Sequence, residues 1–123
     1  MKKILIVDDE KNIILTLKMY LQKSGYETQV AINGIEAIDI AQDYMPDLIF
    51  LDIVLPKMSG YLVCEALKDQ VSTKNIPIIF MSAKTQREDI EKALAVGGSD
   101  YITKPFTPDQ IKKILDKYLK EAI

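Results

Sequence analysis

Three uninterrupted apolar tetrads, Ile4-Leu5-Ile6-Val7, Leu48-Ile49-Phe50-Leu51 and Ile78-Ile79-Phe80-Met81, constrain the fold of this chain more than any other feature. A strand with one wet face alternates apolar and polar residues, whereas a strand covered on both faces has no need to. Runs of this length therefore point to a parallel sheet with helices on each side. The stretch from Tyr26 to Val30 is more polar and reads as an edge strand, and Tyr101-Ile102-Thr103 as a weaker fifth strand.

Segments with helical spacing lie between these runs. Ile13, Ile14, Leu17 and Leu21 form a stripe that Gly25 closes just past a helix end. Asn33 with Glu36, Thr85 with Glu88 and Thr107 with Gln110 have capping-box spacing, and Pro108 sits where a first helical residue belongs. Leu62, Val63, Ala66 and Leu67 make a stripe after Ser59-Gly60. Ile111, Ile114, Leu115, Tyr118 and Leu119 make the last one. Five strand–helix units without a linker, repeat or low-complexity tract predict one α/β domain over residues 1–123, with right-handed crossovers. In such sheets, ligands bind beyond the carboxyl ends of the strands.

Composition removes several chemistries. The chain has no histidine and one cysteine, Cys64, so Ser-His-Asp or Cys-His catalysis, an internal disulfide and a multi-cysteine zinc site all drop out. A net charge of −2, with Arg87 as the sole arginine, argues against direct nucleic-acid binding. No apolar run is long enough to span a bilayer or serve as a signal peptide. The expectation is a cytoplasmic protein.

Each apolar run stops at a residue with chemical potential. The first ends in Asp8-Asp9-Glu10, the next long one in Asp52, the next in Ser82, and the weak fifth in Lys104-Pro105. Parallel strands would gather these groups at one edge. Two carboxylates ~5 Å apart repel by roughly 3 kcal/mol at an effective dielectric near 20. The cluster is thus a cation site or a set of perturbed acids, and its hard oxygens suit Mg²⁺ or Mn²⁺. A cation beside a carboxylate and a lysine is also the equipment of phosphoryl transfer. Taken singly, acids after a strand often cap the next helix, and Lys104 or Ser82 would be unremarked loop residues. Asp52 is the hardest to explain that way, because it lies inside the apolar stretch Leu48 to Leu55.

The ordered set Ile4-Leu-Ile-Val-Asp-Asp-Glu10, Pro46-Asp-Leu-Ile-Phe-Leu-Asp52, Leu55-Pro-Lys-Met-Ser-Gly60, Met81-Ser-Ala83 and Asp100-Tyr-Ile-Thr-Lys-Pro-Phe106 resembles the receiver domain of bacterial two-component response regulators, of the chemotaxis-regulator type. The resemblance implies a doubly wound five-stranded sheet of order 2-1-3-4-5 with five helices. It implies a phosphoacceptor signalling domain rather than an enzyme. Asp52 would take a phosphoryl group from a partner histidine kinase or histidine phosphotransfer protein. Asp9, Asp52 and the Val54 backbone carbonyl would hold Mg²⁺, with Asp8 acting through a water. Lys104 and Ser82 would meet the phosphoryl oxygens, and Tyr101 would turn from an exposed to a buried rotamer. The Lys104–Pro105 peptide would be cis, a geometry realistic only before proline. The output surface would cover residues 86–121 and meet a downstream effector protein.

The chain departs from the usual family pattern at Ser59, at Ser82 in place of the common threonine, at Val54 and at Gly97-Gly98-Ser99. Its last helix has no arginine, so the Arg–Asp contacts of one dimerising subfamily do not transfer, although a phosphorylation-dependent homodimer stays open. Two competing readings are weaker. An aspartyl-phosphate phosphatase of the haloacid dehalogenase type needs an Asp where this chain has Val54. A flavin- or nucleotide-binding domain would not place Asp8-Asp9-Glu10 after its first strand. The domain would act as a stand-alone receiver or as part of a longer DNA-binding transcription factor.

Overall fold

The computed structural model describes residues 1–83 and 86–119. Strands and helices alternate as β1 (Lys3–Val7), α1 (Lys11–Lys23), β2 (Glu27–Ala31), α2 (Gly34–Tyr44), β3 (Leu48–Asp52), α3 (Gly60–Lys68), β4 (Ile78–Ser82), α4 (Arg87–Ala95), β5 (Asp100–Thr103) and α5 (Pro108–Leu119). The sheet order is β2-β1-β3-β4-β5 and every pairing is parallel. The expected doubly wound architecture and strand order are those observed.

The apolar tetrads are continuous because successive residues serve opposite layers. Leu5, Val7, Ile49, Leu51, Ile78 and Phe80 pack with α2, α3 and α4. Ile4, Ile6, Leu48, Phe50, Ile79 and Met81 pack with α1 and α5. All twelve are fully buried, and each side chain contributes roughly 1.5–3 kcal/mol by leaving water. β2, at the edge, alternates in exposure as its polarity suggested.

Local signals explain most helix ends. Gly25, at φ 93°, closes α1 just beyond its last turn, where a left-handed residue lets Tyr26 N–H reach the Leu21 carbonyl at 3.0 Å. Thr107 and Gln110 form a reciprocal capping box, with bonds of 2.8 and 3.3 Å. Asn33 accepts from Glu36 N–H at 2.9 Å, but the Glu36 carboxylate accepts from Ile32 N–H instead of from Asn33. Thr85 of the third expected box lies outside the described residues, and α4 begins after Gln86 without a side-chain cap.

The stripe expected on α3 needs correction. Leu62 is 53% exposed, while Tyr61 and Cys64 are buried with Val63 and Leu67. Gly60 sets this face. A Cβ there would collide with the Asp52 carbonyl, so only glycine lets α3 start against the end of β3. Its N–H donates to the Ile53 carbonyl at 2.8 Å, tying the helix to that strand.

Candidate functional site

Register brings the strand ends together. Val7 pairs with Leu51, Asp52 with Met81 and Ser82 with Thr103, so Asp8, Asp52, Ser82 and Lys104 line up along one edge. Asp8 is fully buried, and Asp52 and Ser82 are nearly so. The Asp8 N–H donates to the Ala31 carbonyl at 3.1 Å, and the Lys104 N–H to the Ser82 carbonyl at 2.9 Å. The Lys104–Pro105 peptide is cis.

The Lys104 ammonium stands among three carboxylates. Nζ lies 2.8 Å from Asp8 Oδ2, 3.0 Å from Glu10 Oε1 and 3.3 Å from Asp52 Oδ2. Ligand atoms of these three acids all fall within 4.8 Å of one another. Asp9, by contrast, is exposed and stands outside this group. Glu10 had no individual role in the sequence reading. A signal for it existed: in extended chain, residues two apart point to one side, so Glu10 follows Asp8 while Asp9 turns away.

Electrostatics at the cluster are unbalanced. Burial, then the charge of Asp8, push the Asp52 carboxyl up to about 6, against the opposing pull of Lys104 and the Val54 N–H. For Lys104, burial disfavours the ammonium, but Asp8, Glu10 and Asp52 together outweigh it and hold the group above its ordinary value. Asp8 Oδ2 is buried and accepts no hydrogen bond of good geometry, meeting Lys104 as a charge only. A buried carboxylate oxygen without a directed partner is costly. Together with Glu10 and Asp52, Asp8 makes a set of three hard carboxylates that fits a small divalent cation.

The other expected residues surround this centre. Val54 is exposed beside Asp52, and its N–H donates to Asp52 Oδ1 at 3.4 Å. Tyr101 is half-buried and packs against the α2–α4 core layer, on the strand next to the one that ends in Ser82. Tyr61 lies next to it: its ring centroid is 5.7 Å from that of Phe80, and its hydroxyl donates to the Asp89 carbonyl of α4 at 3.4 Å. Sequence periodicity had not singled out Tyr61. Among the described residues, no helix is long and apolar enough to cross a membrane.

Known proteins resemble this chain in sequence and fold. The response regulator receiver domain family matches residues 4–116. The alkaline phosphatase synthesis transcriptional regulatory protein PhoP of Bacillus subtilis is 40% identical over 121 residues, covering 98% of this chain and 50% of that protein. The chain thus spans about half the length of that relative. The polar-differentiation response regulator DivK of Brucella anthropi is 36% identical, with 98% of each chain covered. Among solved structures, the receiver domain of sensor histidine kinase PA1611 from Pseudomonas aeruginosa, with a magnesium ion coordinated in its active-site cleft, superposes with a TM-score of 0.90 at 28% identity, covering 98% of each chain. Fold, strand-end acids and lysine, and a family match over nearly the whole length converge: the chain belongs to the receiver domains of two-component response regulators.

Proposed function

We propose that Asp52 is the phosphoacceptor of this receiver and that the strand-end cluster carries out a cation-assisted phosphoryl transfer. Receiver domains accept phosphate from histidine kinases, act on effectors and bind Mg²⁺ at an acidic pocket. The observation that carries the assignment is a nearly buried carboxylate, held against a second buried carboxylate and a lysine at the end of a central strand.

In the transfer, an Asp52 carboxylate oxygen attacks the phosphorus of a partner's phosphohistidine. The P–N bond breaks, its electron pair stays on the imidazole, and an acyl phosphate forms on Asp52. Asp52, Asp9 and the Val54 carbonyl would hold Mg²⁺, or Mn²⁺, with Asp8 acting through a water. When bound, the cation offsets charge on the phosphoryl oxygens. Lys104 would supply a second positive charge beside Asp52, and Ser82 a hydroxyl donor. The product carries more negative charge than the carboxylate it replaces. Lys104 and Ser82 therefore interact differently with the two states, which is the requirement for shifting a conformational equilibrium. Tyr101, on the strand paired with that of Ser82, would pass that shift to α4, β5 and α5 for reading by an effector.

The phosphatase reading has no support in the site, because an exposed valine, Val54, stands where its acid would be. Action in the cytoplasm, the identity of the kinase and a phosphorylation-dependent dimer belong to the same proposal. Treatment with acetyl phosphate and Mg²⁺ should add one phosphate, mapped by mass spectrometry to Asp52. Phosphate on another residue would move the acceptor.

A further inference from the structure

Glu10 occupies the N-cap position of α1, in extended conformation at φ −85° and ψ 114°. A side-chain oxygen there usually accepts a hydrogen bond from the first helical turn. The Glu10 carboxylate makes no such bond. It reaches Lys104 instead, with Oε1 3.0 Å from Nζ. Asp8 steadies the turn, its Oδ1 accepting from Glu10 N–H at 2.9 Å. The ammonium is thereby drawn toward Asp8 at 2.8 Å and Glu10 at 3.0 Å, and Asp52, at 3.3 Å, is the farthest of the three.

An ammonium has three donors, and the one given to Glu10 cannot also serve a phosphoryl group on Asp52. The two competing acids differ in mobility. The Asp8 side chain is fully buried, whereas that of Glu10 is 59% exposed and can swing into water. We propose that Glu10 is a latch on Lys104, holding the ammonium toward α1 while Asp52 is unmodified and releasing it when phosphoryl oxygens compete. Glu10 is thus a positioning residue that acts on the transfer only through Lys104. The inference rests on Asp52 being the phosphoacceptor. An exposed carboxylate–lysine pair is weak, so the latch sets a barrier of about 2- to 5-fold rather than a block.

The test uses the full chain at saturating Mg²⁺ and two readouts: affinity for beryllofluoride, a phosphoryl mimic, and the rate of Asp52 labelling by acetyl phosphate. Glu10→Ala removes the carboxylate. Glu10→Asp keeps the charge but withdraws it by one methylene, beyond reach of Lys104. Neither removes a helix cap, so both variants should keep the wild-type circular dichroism spectrum. Both should bind beryllofluoride about 2- to 5-fold more tightly and label correspondingly faster. In a Lys104→Ala background, adding Glu10→Ala should leave beryllofluoride affinity unchanged.

A gain in Glu10→Ala without one in Glu10→Asp would mean simple repulsion of the incoming anion and would overturn the latch. So would unchanged or weaker binding in both variants, or an effect that survives in the Lys104→Ala background. Wild-type protein that takes no phosphate on Asp52 would overturn the phosphoacceptor assignment and the latch with it. Normal wild-type labelling with unresponsive Glu10 variants would overturn the latch alone.

Discussion

The backbone N–H of Lys104 donates to the carbonyl of Ser82 at 2.9 Å, so the two residues proposed to grip the phosphoryl oxygens are joined by one main-chain hydrogen bond between neighbouring strands. A shift at either end reaches the other without passing through a flexible loop. Asp8, Asp52 and Lys104 are buried or nearly so beside this bond, and their substitution has calculable consequences.

Asp52→Asn should abolish labelling by acetyl phosphate and also stabilise the metal-free fold. Burial and Asp8 raise the Asp52 carboxyl to about 6, so ionising it works against folding at neutral pH. A raised folded-state value means that the wild type has its full stability below about pH 4 and loses part of it as pH rises through 6. Above pH 7 the variant should lead by about 1–3 kcal/mol in urea denaturation with chelator present. A gap that does not open across this window would refute the strained carboxylate.

Millimolar Mg²⁺ should raise the Tm of the wild type by mass action, with a tenfold excess over Kd contributing about 1.4 kcal/mol, or several degrees for a domain of this size. Asp8→Asn should blunt the response, because it removes the buried carboxylate whose Oδ2 has no directed partner. Scanning calorimetry at fixed ionic strength decides this. An equal shift with Ca²⁺, Mg²⁺ and Na⁺ would indicate screening rather than a site.

Lys104→Ala removes the ammonium between two buried acids and should cost about 3 kcal/mol without metal. Much of that penalty is the repulsion left behind. The double variant Asp8→Asn/Lys104→Ala should therefore be more stable than Lys104→Ala alone. At saturating Mg²⁺ the single variant should fold, yet its Tyr101 resonances should no longer respond to beryllofluoride. A fully responsive Tyr101 would remove Lys104 from the coupling.

Gly60→Ala introduces a methyl group against the Asp52 carbonyl, where backbone has little room to move. A loss of about 2 kcal/mol or more is expected, in the range of overpacked sites. The labelling rate should fall as well, since the clash displaces the strand end that aims Asp52. Stability loss with unchanged labelling would show that α3 positions nothing at the site.

Sequence legibility followed burial. Ile4–Val7, Leu48–Leu51 and Ile78–Met81 were readable as strands because both their faces are covered, which leaves no polar residue to confuse the period. The α3 face differs from its expected stripe because Leu62 and Cys64 look equally apolar, and how the helix docks, with Gly60 close against the Asp52 backbone, is not written in local spacing. The buried acid and lysine positions were evident from strand ends. The partition between Asp9 and Glu10 follows only if the chain stays extended through Glu10, which alternation along the strand end signals but which the start of α1 decides.

The two layers flanking the sheet also differ electrically. α1 carries Lys11, Lys18 and Lys23 without an acid, and α2 carries Glu36, Asp39 and Asp43 without a base. They sit on opposite sides, since α1 packs with one set of strand residues and α2 with the other. A chain of nearly balanced charge is therefore a dipole across its own sheet, and a charged body approaching within a Debye length will turn it before touching it. Orientation on encounter is written into which helix faces which side, and dissolved salt sets its strength.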